Sequence, residues 1–158
     1  MKLEKRFRHS RGYGVHSPFL YKVVREAMMP RKVATTDTKL RGELVTVGVD
    51  GRTAVRLQNY LSLVGYTRWA INKAEEVTEG TLFVATPDCP HEVVEQMAEM
   101  CGVGDTTMAT LCVIHHKGKA ERVWRRELVE GHKGMSAEKP RFTFLFFNPA
   151  LPKQHIII

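Results

Sequence analysis

A chain of 158 residues, 43% hydrophobic and 26% charged, has room for one full domain rather than two and is too apolar for a disordered polymer. Its formal charge of +7, from 24 Lys and Arg against 17 Asp and Glu, raises nucleic acid and anionic membranes as partner classes. The distribution narrows this, because residues 1–41 hold eleven basic residues against Glu4, Glu26 and Asp37, while the rest carries 13 basic and 14 acidic groups. The body is close to neutral. No signal-like n-region, h-region and cleavage site open the chain, and no apolar run approaches the roughly 18 residues of a membrane span. Three cysteines at unrelated spacings, Cys89, Cys101 and Cys112, fit reduced thiols better than a secreted disulfide framework. The expectation is a cytoplasmic protein with no membrane segment.

Residues 1–13 form a basic arm in which Lys2, Lys5, Arg6, Arg8 and Arg11 are interleaved with Phe7, His9 and Tyr13. Charge and ring stacking would let such an arm contact nucleic acid, with steep salt dependence. The other reading is a solvated tail, or a strap on an acidic patch of the body or of a second subunit in a homo-oligomer. The lack of a recognisable nucleic-acid module downstream favours that second reading.

Residues 14–158 read as a single α/β domain. Ser17 and Pro18 start a helix, as N-cap and first helical residue, with Phe19, Leu20, Val23, Val24 and Ala27 at helical spacing and a stop at Met28-Met29-Pro30. After a polar link, the β-branched run Leu44 to Val49 predicts a strand closed by Asp50-Gly51. Ala54, Leu57, Leu61 and Val64 predict the next helix, ended by Gly65, and Arg68 to Ile71 a short strand. Thr81 to Ala85 reads as a buried strand, followed by a helix with Val93, Val94, Met97 and Met100 inward and Gly102 at its end. Ala109 to Ile114 is a further buried strand with His115 and His116 at its carboxyl end, and a helix from Lys119 turns Ala120, Val123, Trp124 and Leu128 inward, with Gly131 just past it. Phe142 to Phe147 and Gln154 to Ile158 are the last strands, and their short link predicts an antiparallel pair. The expected fold is a mixed sheet of three or four parallel strands and this pair, with helices on both faces.

Several segments carry a resemblance. Gly14-Val15-His16-Ser17-Pro18-Phe19-Leu20-Tyr21 resembles the GVHSPFVY opening of a bacterial group of class I S-adenosylmethionine-dependent methyltransferase-like proteins, and Phe146-Phe147 with Lys153-Gln154-His155 resembles that group's FF…KQH ending. Arg56-Leu57-Gln58-Asn59-Tyr60-Leu61 is similar to its RLVNYF helix, and the stretch from Val113-Ile114-His115 to Trp124 to its DDIHW…W segment. The resemblance implies a Rossmann-like methyltransferase fold with S-adenosylmethionine as cofactor. A complete fold of that class has seven strands and six helices, which would need a longer chain, so the member implied is a reduced one.

The departures bear on activity. No G-x-G-x-G is present, and the nearest substitute for a donor loop is Gly48-Val49-Asp50-Gly51, with Asn72 or Glu75 at the distance of a ribose-binding acid. Gly48, Asp50, Gly51 and Asn72 are thus the candidate cofactor residues, against the plainer reading of an ordinary turn that needs Asp-Gly for its geometry. The group's paired aspartates fall on Cys112 and Val113, neither of which supplies a hard oxygen ligand or a suitable general base. No catalytic residue can be named.

Asp88, Cys89, His91, His115 and His116 all fall near the carboxyl ends of successive strands, where open α/β sheets place ligands. A zinc site from Cys89, His91 and His115 and a nucleophilic Cys89–His115 pair are both conceivable chemistry. The plainer assignment is that Asp88, His91, His115 and His116 line a cleft, that the cysteines are structural, and that no metal is bound. His16 reads as a brace for the helix that follows it, Trp124 as core, and His132 as a loop residue without a role. The leading functional expectation is a degenerate methyltransferase-like protein without catalysis that binds a small ligand or a partner. The alternatives are an S-adenosylmethionine-dependent O-methyltransferase with an atypical donor loop, and a nucleic-acid-binding module.

Overall fold

The structure is a computed structural model that describes residues 17–77, 80–102 and 108–158. The basic arm, with Lys2, Lys5, Arg6, Arg8 and Arg11, lies outside the described residues, as do Gly14, Val15 and His16. The chain divides into two compact units, one reaching to Thr67 and including the final two residues, the other spanning Arg68–Ile156.

The first unit is helical. Helix α1 (Pro18–Val23) starts as its sequence dictates, with the Ser17 hydroxyl accepting the Leu20 N–H at 3.3 Å, and runs into a π-helical turn over Val24–Met28. The carbonyls at the end of that turn have no intrahelical partner. Two arginines from the helix that follows later take them: Arg52 donates to Met28, Met29 and Pro30, and Arg56 Nε donates to Met28 O at 3.0 Å.

The strand expected over Leu44 to Val49 is instead the end of a helix, α2 (Lys39–Thr46), followed by a turn. Leu40 and Leu44, four residues apart, are both fully buried, while Val45 and Val47 are 47% and 46% exposed. Helical spacing of two leucines therefore overrides the β propensity of the valines. Helix α3 (Gly51–Val64) follows and ends at Gly65, whose φ of 72° is the left-handed C-cap conformation. On α3, Asn59 clamps the preceding loop by accepting Ala34 N–H at 2.8 Å and donating to Lys32 O at 3.1 Å. Gln58 Oε1 accepts the Arg41 N–H, an otherwise orphaned donor in the first turn of α2, while its buried Nε2 has no partner.

The second unit carries the sheet, with strand order β1-β2-β3-β5-β4-β6. Strands β1 (Arg68–Ile71), β2 (Thr81–Ala85) and β3 (Ala109–Ile114) are mutually parallel, and β5 (Phe142–Phe147) lies antiparallel between β3 and β4 (Ser136–Glu138). The fold is thus α/β with a mixed six-stranded sheet. The expected pairing of the last two strands does not occur, because the three-residue β4, of which the sequence carries no periodic sign, lies between β5 and β6 (His155–Ile157). The link after β5 carries the chain past β4, where Ser136 N–H donates to Gln154 O at 2.8 Å.

Strands β2, β3 and β5 are buried on both faces, as their continuous apolar runs require. One face, with Phe83, Leu111, Val113 and Leu145, is covered by helices α4 (His91–Cys101) and α5 (Lys119–Gly131) through Val94, Met97 and Cys101 and through Trp124, Leu128 and Val129. Met100, 41% exposed, and Val123, 45% exposed, fall outside these contact stripes, contrary to the inward placement expected of them; Ala120 is exposed too. On the opposite face Phe142, Phe144 and Phe146 form a row along β5 with ring centroids 5.2 and 5.5 Å apart.

Candidate functional site

The candidate donor loop does not have the strand-to-helix context expected of it. Gly48, Asp50 and Gly51 join helix α2 to helix α3. Gly48, at φ 91°, closes the end of α2 by donating to Val45 O. Asp50 is the N-cap of α3, with Oδ1 accepting Thr53 N–H at 3.0 Å and Oδ2 accepting the Thr53 hydroxyl at 2.7 Å. Gly51 is the first residue of the helix. Asp-Gly here serves a corner between helices.

Asn72 belongs to the second unit and sits just beyond β1 in the left-handed region, at φ 57°. Its side chain locks the ends of β1 and β2 together: Oδ1 accepts Thr86 N–H and Nδ2 donates to Thr86 Oγ1, both at 2.8 Å, while its own N–H donates to Val84 O. The polar groups that could face a ribose are engaged with protein.

The neighbouring carboxyl ends of β2 and β3 are filled. His91, the first residue of α4, stacks on Trp124 of α5 with centroids 3.8 Å apart and planes 2° from parallel, and its Nε2 meets Glu121 Oε1 and Oε2 at 2.9 and 3.0 Å. His116 is exposed, and its carbonyl accepts from Arg125 at 3.2 Å. His115 uses both ring nitrogens, Nδ1–H donating to Pro140 O at 3.0 Å and Nε2 lying 2.7 Å from Thr143 Oγ1. The space left among His91, His116, Glu121, Trp124 and Arg125 is about 10 Å³, the room of one water molecule at most. His91 and His116 line this remnant; His115 and the exposed Asp88 do not.

The larger space lies at the opposite edge of the sheet. Ala109, the start of β3, pairs with Phe147, the end of β5. Around that end, the last turns of α4 and α5, the turn after α5 and the end of β5 border an open cavity of about 870 Å³. Its apolar lining includes Ala98, Leu128, Leu145 and Phe147, and Trp124 closes one side. Glu95, Glu99 and Glu127, all exposed, line it together with one lysine among the described residues, Lys133.

His132 is the residue on that lining for which the sequence reading found no role. It is buried, 8% exposed, and its Nε2–H donates to Met135 O at 3.1 Å and Phe146 O at 3.0 Å, tying the turn to β5. Burial is the main cause that lowers its pKa from 6.5; the two carbonyls oppose the shift, and the charge of Lys153 adds to it. Gly134 is required beside it, since a Cβ there would lie 2.8 Å from Phe146 O and 3.1 Å from His132 Nε2. Gly134, two residues after His132 and at the entry to β4, was the available sequence signal.

Other chemistry is poorly placed. All three cysteines are buried and free, and burial raises each thiol, Cys101 to about 12, which disfavours a thiolate nucleophile. Ser136, His155 and Glu138 form a chain, Oγ to Nδ1 at 2.7 Å and Nε2 to Oε2 at 3.3 Å, but Ser136 is only 2% exposed, so the chain fastens β6 to β4 rather than presenting a hydroxyl to substrate. Among the described residues no group of three or more His, Cys, Asp or Glu is arranged to hold a metal ion, and no helix is long and apolar enough to cross a membrane. No protein-family model matches the chain, and no curated protein or solved structure matches it at a significant level.

Proposed function

We propose that this chain is a reduced, methyltransferase-like protein of Rossmann-like ancestry that does not use S-adenosylmethionine, and that it acts by binding a small molecule in the cavity between α4, α5 and the end of β5. One contrast carries the reading: the pocket between His91, His116 and Trp124 at the carboxyl ends of β2 and β3 holds about 10 Å³, whereas that at the opposite edge holds about 870 Å³, within the usual range of ligand pockets. The engagement of Asp50 with Thr53 and of Asn72 with Thr86 supports the loss of the donor site, as does the placement of Cys112 where the resembled group has a carboxylate. The buried free thiols of Cys89, Cys101 and Cys112 accord with the reducing cytoplasm that this reading assumes.

A ligand specific to the folded state must raise its apparent stability. Thermal unfolding and calorimetry with S-adenosylmethionine and S-adenosylhomocysteine are therefore expected to show no shift and no heat. Micromolar binding of either would overturn the reading in favour of a working methyltransferase.

A further inference from the structure

Resting on the reading of the large cavity as a ligand site, we propose that its ligand is an amphipathic organic cation: a protonated amine carried on an apolar or aromatic body. Three observations converge on that class. The lining offers an apolar floor, Ala98, Leu128 and Leu145, flanked by the ring of Phe147 and by Trp124, whose one face is taken by His91 and whose Nε1–H donates to Glu95 Oε1 at 3.5 Å; this suits a hydrophobic body with a cation near aromatic rings. The lining carries the carboxylates of Glu95, Glu99 and Glu127 and, among the described residues, one ammonium, that of Lys133. Independently, α4 and α5 both point their C-terminal ends at the cavity, for Gly102 and Gly131 line it, and the carbonyl end of a helix carries partial negative charge.

The cations already present offset only part of this field. Lys153 Nζ, which is not part of the lining, caps the end of α5 through Glu130 O at 2.9 Å and offsets the partial charge there, while the end of α4 keeps its own. His132 commits its Nε2–H to the carbonyls of Met135 and Phe146. An anion entering the cavity would meet three carboxylates and the C-terminal end of α4, whereas an ammonium would meet complementary charge at each.

The test is a series of equal shape and differing charge: 4-phenylbutylamine, 4-phenylbutanol and 4-phenylbutyrate, titrated by calorimetry into the full chain at low ionic strength. The amine is expected to bind about tenfold more tightly than the alcohol, and the acid more weakly than both. High salt should erode that preference. The double variant Glu95→Gln with Glu127→Gln should bring amine and alcohol within about twofold, while Glu92→Gln, on the first turn of α4 and outside the lining, leaves the preference intact. Ala98→Leu, which enlarges a side chain on the cavity wall, should weaken all three probes, with unliganded thermal unfolding confirming that the variant is folded.

Equal binding of amine and alcohol would overturn the cation while leaving the cavity as a ligand site. Binding that Ala98→Leu does not weaken, or no binding of any probe, would overturn the ligand site itself and the cation with it.

Discussion

His132 shows how one side chain can be both a brace and a pH-dependent load. Its Nε2–H joins the turn after α5 to β5, and burial keeps the ring neutral more strongly than water would. Its contribution to stability is therefore complete above the ordinary pKa of 6.5 and is lost as the pH falls from there toward the lowered folded value, because the unfolded chain takes up a proton that the folded ring resists. His132→Asn keeps an N–H donor without a titrating ring. Denaturant unfolding at about pH 7.5 and about pH 5 should show the variant losing less stability on acidification than the wild type; equal losses would mean that the ring titrates freely. The sequence offered little warning, since a histidine between Gly131 and Lys133 looks like a solvated loop until β5 is placed beneath it. Asn72 and Asp50 teach the converse. Their spacing suggested a cofactor site, but the atoms that would serve a ligand are engaged locally, which spacing alone does not reveal.

Elements were legible in proportion to how far their pattern exceeds their noise. Helix α3 has buried Ala54, Leu57 and Leu61 at regular spacing, an Asp N-cap and a Gly C-cap, so three independent signals agree. In α2 they conflict: the run Leu44-Val45-Thr46-Val47 favours a strand by composition, and only the burial of Leu40 with Leu44 decides for a helix. Strand β4 is too short to have a period at all. The caps that decide these cases can be weighed. Asp50→Ala removes both acceptors from Thr53 and should destabilise the chain by about 1 kcal/mol in chemical denaturation, and no loss would show that the cap is dispensable. In the aromatic row of β5, Phe144 is fully buried between Phe142 and Phe146. Phe144→Ala should cost about 3–5 kcal/mol through lost burial and the cavity left behind, and a loss below about 1 kcal/mol would mean that the row closes over the gap.

At the scale of the molecule, the α/β class and the mixed sheet followed from alternating runs of apolar residues, but strand order did not. Order depends on which edge a strand finds, and β5 pairs with β3 through all six of its residues rather than with β6, its successor in the chain. The location of the open space was equally hidden: Trp124 and His91 stack where the sheet would ordinarily admit a ligand, and nothing local to either residue announces the contact. The cysteines give a global readout. Since Cys89, Cys101 and Cys112 are buried with raised pKa values, a thiol-reactive dye near neutral pH should label the native protein slowly and all three sites rapidly once denaturant is added. A thiol modified at once in the native state would contradict the burial described.

The insertion of β5 between β3 and β4 also sets a timetable. A ribosome delivers β3, α5 and β4 before the first residue of β5 emerges, at about 5–20 residues per second, so the nascent sheet waits with a vacant slot between two strands that cannot yet be joined. Until Phe142 to Phe147 arrive, β3 offers an unpaired edge of Ala109-Thr110-Leu111-Cys112-Val113-Ile114, a run that invites pairing with other chains. Chains halted before residue 142 are then the species most in need of a chaperone, and completion of a single six-residue strand converts an aggregation hazard into the centre of the sheet.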